Sequence, residues 1–359
     1  MTICDAQLYR YCLPLKTPLS VGDRTLTSRR GLLLRVGGAD GEEGWGEAAP
    51  LPGFSSETFD DAWASSRQLV TTLPGTALPD TGLEDMLRTL ADGDLPPSVR
   101  FALESAVVEL WAAFRGTSVR HALGGRRDTV SVNALIGDAE GQLEEEGKRI
   151  RAAGYRAVKL KVGRDDVDTD VDRVHRLRAA IGEDVALRLD ANRGWAFSEA
   201  VSFAEALGDV ALGYVEEPLR NPARLAEFVD ATGLPVALDE TTREGLPAEI
   251  GGDLEVRAVV LKPTLLGGLS ETRRWAKWAD GRGAMPVVSA SYESGVGMRM
   301  LLALAASLSD APAGLSPYSR LDADVLTPRL SIDGAEASAK QGYDTVVDRS
   351  RLKRVEISG

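Results

Sequence analysis

Histidine and cysteine are almost missing from this chain of 359 residues, which carries two of each. His121 and His175 lie near neither a cysteine nor a carboxylate cluster, so a zinc site and a histidine-based triad are both excluded as expectations. Acid–base chemistry then falls to other groups. Cys4 and Cys12 fall in one predicted N-terminal strand and cannot build a disulfide framework; they read as free thiols in a reducing compartment. No apolar run approaches the ~18 uninterrupted residues of a membrane span. The opening MTICDAQLYRYCLPLK has an early aspartate and no apolar signal core, so a cytoplasmic location is expected. A basic excess is missing too: Lys and Arg number 42 against 54 Asp and Glu, a formal charge of −12. Phosphate binding needs clustered cations, so neither nucleic acid nor an anionic membrane is expected as a partner.

What is present is an ordinary globular composition, 43% hydrophobic and 27% charged, with no sign of disorder or fibre. The length suits one barrel of ~250 residues with a smaller companion. From about residue 129 onward, apolar strand-like runs alternate with stretches of helical spacing, the signature of βα units around a parallel sheet. The predicted strands are 129–136, 156–162, 184–190, 212–217, 234–240, 257–262, 286–291 and, with the weakest signature, AGLSPY at 313–318. Eight strands suggest a closed barrel. EGQLEEEGKRIRAAG is a predicted helix stopping at Gly154, and SEAVSFAEALG another, with Ser198 as N-cap and an end at Gly208. Upstream, CDAQLYRYCLPL, RGLLLRVGG and EEGWGEAAPL predict an antiparallel meander, followed by helices near 56–73, 81–92 and 97–115. The expected organisation is an α+β domain over 1–125, a β/α barrel over 126–318, and a C-terminal segment over 319–359 that packs back on the first domain.

The charged residues sharpen this picture. In AVKLKVG (157–163) side chains alternate, so Lys159 and Lys161 share one face of a strand predicted to be buried on both sides. The polar residues at the C-terminal ends of successive strands are Lys161, Asp190, Glu216, Asp239 and Lys262. Their spacings of 29, 26, 23 and 23 residues are about one βα unit each. Active sites of such barrels are built at that end. Taken singly, KLK is an ordinary strand, EEP an ordinary helix cap and DANRGW an ordinary turn; five charges at five consecutive strand ends are not. Three carboxylates from neighbouring strands would repel one another without a cation between them. An all-oxygen donor set favours Mg²⁺ or Mn²⁺ over Zn²⁺. A hard cation flanked by two lysines suits removal of a proton next to a substrate carboxylate, with Lys159 favouring the uncharged form of Lys161. Strand parity leaves Glu216 and Glu217 both open as the ligand.

The ordered set KLK, RLDANRGW, VEEPL, ALDET, VLKP and SASYESGVG, preceded by GWGEAAPLPGFSSET in the first domain, resembles the enolase superfamily, muconate-lactonising subgroup. It runs over nearly the whole chain. The resemblance implies a modified TIM-type (β/α)7β barrel with an N-terminal α+β capping domain. It implies Lys161 as base, Lys262 on the opposite face, and Asp190, Glu216 and Asp239 as ligands of Mg²⁺, with Glu217 a salt-bridge partner. Lys159, Arg188, Asn192, Ser289 and Ser291 are implied near the substrate, a small-molecule carboxylate.

Within the superfamily, GEAAPLPGFSSET, LKPTLLGG and SASYESGVG most resemble the o-succinylbenzoate synthases of menaquinone biosynthesis, which are carbon–oxygen lyases. Segment 16–28 is then a candidate lid over the succinyl arm, or simply a long connection. The nearest alternatives are an N-succinylamino acid racemase and a dipeptide epimerase. Asp322 and Asp324 resemble the acidic pair that holds a substrate ammonium in the epimerases, though a surface turn is the preferred reading. A Schiff-base lysine as in class I aldolases and a non-catalytic binding barrel are the alternatives from other classes. No feature of the sequence specifies an oligomeric state.

Overall fold

The computed structural model describes the chain except residues 22–23, 80, 91–92, 137–141, 246–253, 333 and 357–359. Strands β1 (Asp5–Val21), β2 (Arg24–Gly37) and β3 (Glu43–Ala48) form an antiparallel meander. Helices Phe59–Thr72, Leu83–Leu90 and Pro97–Phe114 follow. The first of these begins with a reciprocal cap between Thr58 and Asp61, which satisfies amides that have no partner inside the helix. The described residues of segment 16–28, namely 16–21 and 24–28, are strand rather than loop. Leu19 to Val21 pair with Leu26 to Arg24, beyond a register irregularity after Pro14. The polar side chains that suggested a loop lie along a narrow two-stranded ribbon, where few neighbours bury them.

Strands β4 (Thr129–Ser131) and β5 (Ala134–Ile136) divide a segment predicted as one strand. Only β5 joins the parallel sheet; β4 pairs antiparallel with Glu336–Ser338. The sheet continues through β6 (Ala157–Lys161), β7 (Ala186–Asp190), β8 (Tyr214–Glu216), β9 (Val236–Leu238), β10 (Val256–Leu261) and β11 (Met285–Val288), each beside its predecessor. AGLSPY contributes no full strand. Ala313 and Gly314 instead bridge the two edges, Ala313 to Ser131 and Asn133 and Gly314 to Val288 and Ala290, after which Ser316–Arg320 turns as a short helix. The seven strands curl into a barrel closed across this seam. The helix predicted at Ser198 starts earlier, at Phe197, because the Glu199 carboxylate accepts from the Ala196 amide at 2.6 Å and so fills the capping role.

Alternation along the strands sorts the side chains. Val158, Leu160, Leu187, Leu189, Val215, Val236, Leu238, Val259 and Leu261 pack outward with helix residues such as Val174, Leu177 and Phe203. Tyr214, Ala237, Ala258 and Val287 fill the interior as a separate cluster. Polar residues of the same parity therefore look inward. Helix Gly295–Leu308 and the C-terminal segment share their apolar core with the first domain, and Lys353–Arg354 adds a strand to β1. Cys4 and Cys12 are exposed free thiols.

Candidate active site

Parallel register sets the site. Lys161 on β6 stands opposite Asp190 on β7, which stands opposite Glu216 on β8. Asp239 and Lys262 follow the last residues of β9 and β10. All three carboxylates are buried, at 1%, 0% and 2% exposure for Asp190, Glu216 and Asp239. The Lys159 ammonium bridges Asp190 Oδ2 at 2.9 Å and Glu216 Oε1 at 2.8 Å. Lys161 Nζ donates to the same Asp190 oxygen at 3.0 Å and to Asn192 Oδ1. Lys262 is paired with Asp239, and its ammonium lies 6.0 Å from the centre of the Phe54 ring. The five strand-end charges, Lys159 and Asn192 thus form one cluster.

The charges are unevenly balanced. Burial raises the pKa of Glu216, and Asp190 and Asp239 push it further despite Lys159, so it lies well above the usual carboxylate range. Burial opposes ionisation of Asp190 as well, but Lys159 and Lys161 outweigh it and hold that carboxyl below its ordinary value. Asp239 is likewise lowered, burial being overcome by Lys262 and Lys159. Burial disfavours the charge on Lys159 and Lys262, yet the surrounding carboxylates leave both raised, Lys159 well above an ordinary lysine. Two carboxylates therefore hold Lys159. Glu216 Oε2 is buried without a hydrogen-bond partner among the described residues. An orphaned carboxyl oxygen in a site shared with two other acids fits a divalent cation of the hard, oxygen-liking kind. Among the described residues no three acidic groups already close around a common point, since lysine ammoniums lie between them.

The parity question has a structural answer. Glu216 shares the inward face, whereas Glu217, at φ 41°, turns its carboxylate to the Asp239 and Thr241 amides, the Thr241 hydroxyl and Arg193. Arg188 lies one layer below the charges. It donates to the Pro312 carbonyl at 2.7 Å and its guanidinium lies 5.1 Å from the Tyr214 ring centre, so it is engaged at the barrel seam. Ser289 reaches the Gly314 carbonyl at 3.4 Å, and the Ser291 hydroxyl is buried with no partner among the described residues. Asp322 and Asp324 do not act as a pair at a surface turn. Asp322 is exposed, but Asp324 is buried and accepts from the Gly295 amide and the Tyr318 hydroxyl. One mouth residue escaped the sequence reading. Glu240 accepts from Asn192 at 3.1 Å, its other oxygen is buried without a partner among the described residues, and burial with the Asp239 charge raises its pKa. Its place directly after a strand-end acid was the available signal.

A parallel barrel with ionisable groups gathered at the C-terminal ends of its strands defines a class of barrel enzymes. Residues 142–349 match the family described as "Enolase C-terminal domain-like", and residues 3–110 match "MenC, N-terminal domain". The chain belongs to the enolase superfamily and is an enzyme of that superfamily. It is similar to the o-succinylbenzoate synthase of Yersinia pseudotuberculosis serotype I (strain IP32953), at 32% identity over 328 residues, 90% of this chain and 93% of the relative. Among solved structures, the L-Ala-D/L-Glu epimerase from Bacillus subtilis superposes with a TM-score of 0.82 at 26% identity, covering 94% of this chain and 96% of that one. A dipeptide epimerase from Cytophaga hutchinsonii, solved with Mg and the dipeptide D-Ala-L-Val, shares the fold with a TM-score of 0.81 at 22% identity, covering 99% of each chain.

Proposed function

We propose that the chain catalyses the Mg²⁺-dependent syn dehydration of 2-succinyl-6-hydroxy-2,4-cyclohexadiene-1-carboxylate to o-succinylbenzoate, the reaction of the synthases it is similar to in menaquinone biosynthesis. One observation carries the reading: Lys161, Asp190 and Glu216 stand in register on three adjacent strands, with the Asp239–Lys262 pair beyond them. Asp190, Glu216 and Asp239 are the residues that would hold Mg²⁺ or Mn²⁺. When bound, the ion supplies positive charge beside the substrate carboxylate, which eases loss of the proton on the adjacent carbon.

Lys161, oriented by Asp190 and Asn192, takes that proton as a free amine. The resulting ammonium then returns a proton to the departing hydroxyl, which leaves as water from the same face. A C–H and a C–O bond break, a C=C bond forms, and the ring becomes aromatic. Lys262, whose raised pKa keeps it charged, offsets the negative charge that develops on the substrate. Lys159 and the Ser291 hydroxyl would bind substrate oxygens.

The test is a spectrophotometric assay with the cyclohexadiene substrate, with and without EDTA, alongside Lys161→Ala. Metal-dependent loss of substrate absorbance is expected for the parent protein and none for the variant; turnover that survives both treatments would sink the mechanism. Racemisation or epimerisation at an α-carbon is the second reading, favoured by the presence of lysines on two different strands and by the similarity to the B. subtilis epimerase. The burial of Asp324 weighs against a dipeptide substrate. In D₂O, a racemase exchanges label into an amino acid substrate, whereas a dedicated dehydratase need not.

A further inference from the structure

We propose that Arg29 and Glu47, both on the sheet of the first domain, are positioning residues that set the turn after β11, and with it Ser291. The effect on substrate rests on the function proposed above; the clamp itself does not.

Glu47, at the end of β3, is fully buried. One of its oxygens accepts from the Ser294 amide at 2.8 Å and from the Tyr11 hydroxyl; the other accepts from the Ser294 hydroxyl at 2.6 Å and the Gly297 amide at 2.8 Å. Ser294 is the N-cap of helix Gly295–Leu308. A carboxylate of the first domain thus occupies the amide-rich start of a barrel helix, where negative charge is most favourable. The approach is close enough to need glycine, since a Cβ at Gly297 would lie 2.8 Å from Glu47 Oε2.

Arg29, only 2% exposed, ties the same turn from a second direction. It donates to the carbonyls of Ala49 at 2.8 Å and Pro50 at 3.1 Å within its own domain, and to those of Tyr292 at 3.2 Å and Ser291 at 3.4 Å across the interface. Tyr292 has φ +64°, a conformation that costs a non-glycine residue energy and persists only where its surroundings hold it. Glu293 completes the hold: it accepts from the Ser291 amide and from the Thr264 hydroxyl at 2.7 Å, two residues beyond Lys262. The Ser291 hydroxyl, buried and without a partner among the described residues, is therefore presented by a strained turn whose shape is fixed from the other domain. Without that hold, the strain at Tyr292 relaxes and Ser291 moves.

The experiment compares Arg29→Met, Arg29→Lys and Glu47→Gln with the parent protein by hydrogen exchange of a peptide spanning 289–297 and by steady-state kinetics. Exchange in that peptide is expected to accelerate about ten-fold in Arg29→Met while strands β6 and β7 keep their protection. KM is expected to rise about ten-fold with kcat within about three-fold, because contacts to a non-reacting part of the substrate act equally on ground and transition states. Arg29→Lys restores part of both effects, and Glu47→Gln shifts both in the direction of Arg29→Met. Unchanged exchange in Arg29→Met overturns the clamp. Faster exchange with unchanged KM overturns the positioning role. If the parent protein does not turn over the cyclohexadiene substrate, yet the variant exchanges faster, the activity assignment fails and the clamp stands.

Discussion

Replacing Lys159 by methionine removes the one ammonium that touches both Asp190 and Glu216 while keeping most of the side chain's volume. Asp190 retains Lys161 at 3.0 Å, but Glu216 loses its 2.8 Å donor and already has one oxygen unpartnered among the described residues. Removing one member of a buried ion pair costs roughly 3–5 kcal/mol. Glu216 can escape part of this by taking a proton, since its pKa is already raised by burial and by Asp190, which favours the lower end, about 3 kcal/mol. For a protein of this size about 2 °C accompanies each kcal/mol, so melting in EDTA should fall by about 6 °C. A divalent ion that binds only the folded state adds about 2.7 kcal/mol at a hundred times its Kd. Added Mg²⁺ should therefore recover most of the loss, and should stabilise Lys159→Met more than the parent, in which the ion competes with an ammonium. Differential scanning fluorimetry in EDTA and in excess MgCl₂ measures both effects. A variant that melts with the parent in EDTA would refute the electrostatic account of this strand.

Three further outcomes follow from the packing. Gly46→Ala places a Cβ 1.8 Å from the Ala102 carbonyl; β3 must lift from helix Pro97–Phe114, and a loss of about 3 kcal/mol is expected in urea unfolding. Asp324→Asn weakens the acceptor for the Gly295 amide and the Tyr318 hydroxyl, at about 1–3 kcal/mol, and should leave KM unaltered; a rise in KM would bring Asp324 back as a substrate contact. Glu104→Gln carries a pH signature. Burial raises the Glu104 carboxyl although the Ser270 hydroxyl and amide bond to it. A raised acid binds its proton more tightly folded than unfolded, so its contribution to stability is lost as pH climbs through the raised value. The amide has no such loss, so the melting temperature of Glu104→Gln relative to the parent should increase from about pH 5 to about pH 8.

Strands β6 to β10 are legible because each is an apolar run that ends in or runs into a charge, so apolar runs and polar stops coincide, as in 184–190 against the observed Ala186–Asp190. Segment 129–136 misled because buried Val130 and Val132 continue the alternation into Ala134, while the pairing partners change. β4 takes Glu336–Ser338, over 200 residues away, and β5 takes its neighbour β6. AGLSPY misled differently. Closing a barrel needs hydrogen bonds to both edges, and at Ala313 and Gly314 two residues make them, too few to leave a period-two pattern. Segment 16–28 reads as a loop by composition, yet composition reports exposure and not pairing, and in this ribbon most polar side chains are exposed while Leu19 and Val21 are buried.

The site divides along the same line. The charges at strand ends announce themselves because successive βα units place them at regular intervals in the sequence, so a spacing becomes a location. The residues that hold those charges and the neighbouring turn in place carry no such signal. Arg29 and Glu47 lie 262 and 247 residues from Ser291 and Ser294, in strands whose own pattern is satisfied by packing within the first domain. In isolation GWGEAAPL is an edge strand running into a turn, and nothing in it says that its glutamate caps a helix of the barrel. That dependence runs one way: the barrel can present Lys161, Asp190 and Glu216 from its own ladder, but the turn bearing Ser291 takes its strained shape with help from the other domain. Substrate affinity should therefore respond to mutations in the first domain that leave the metal and proton chemistry intact.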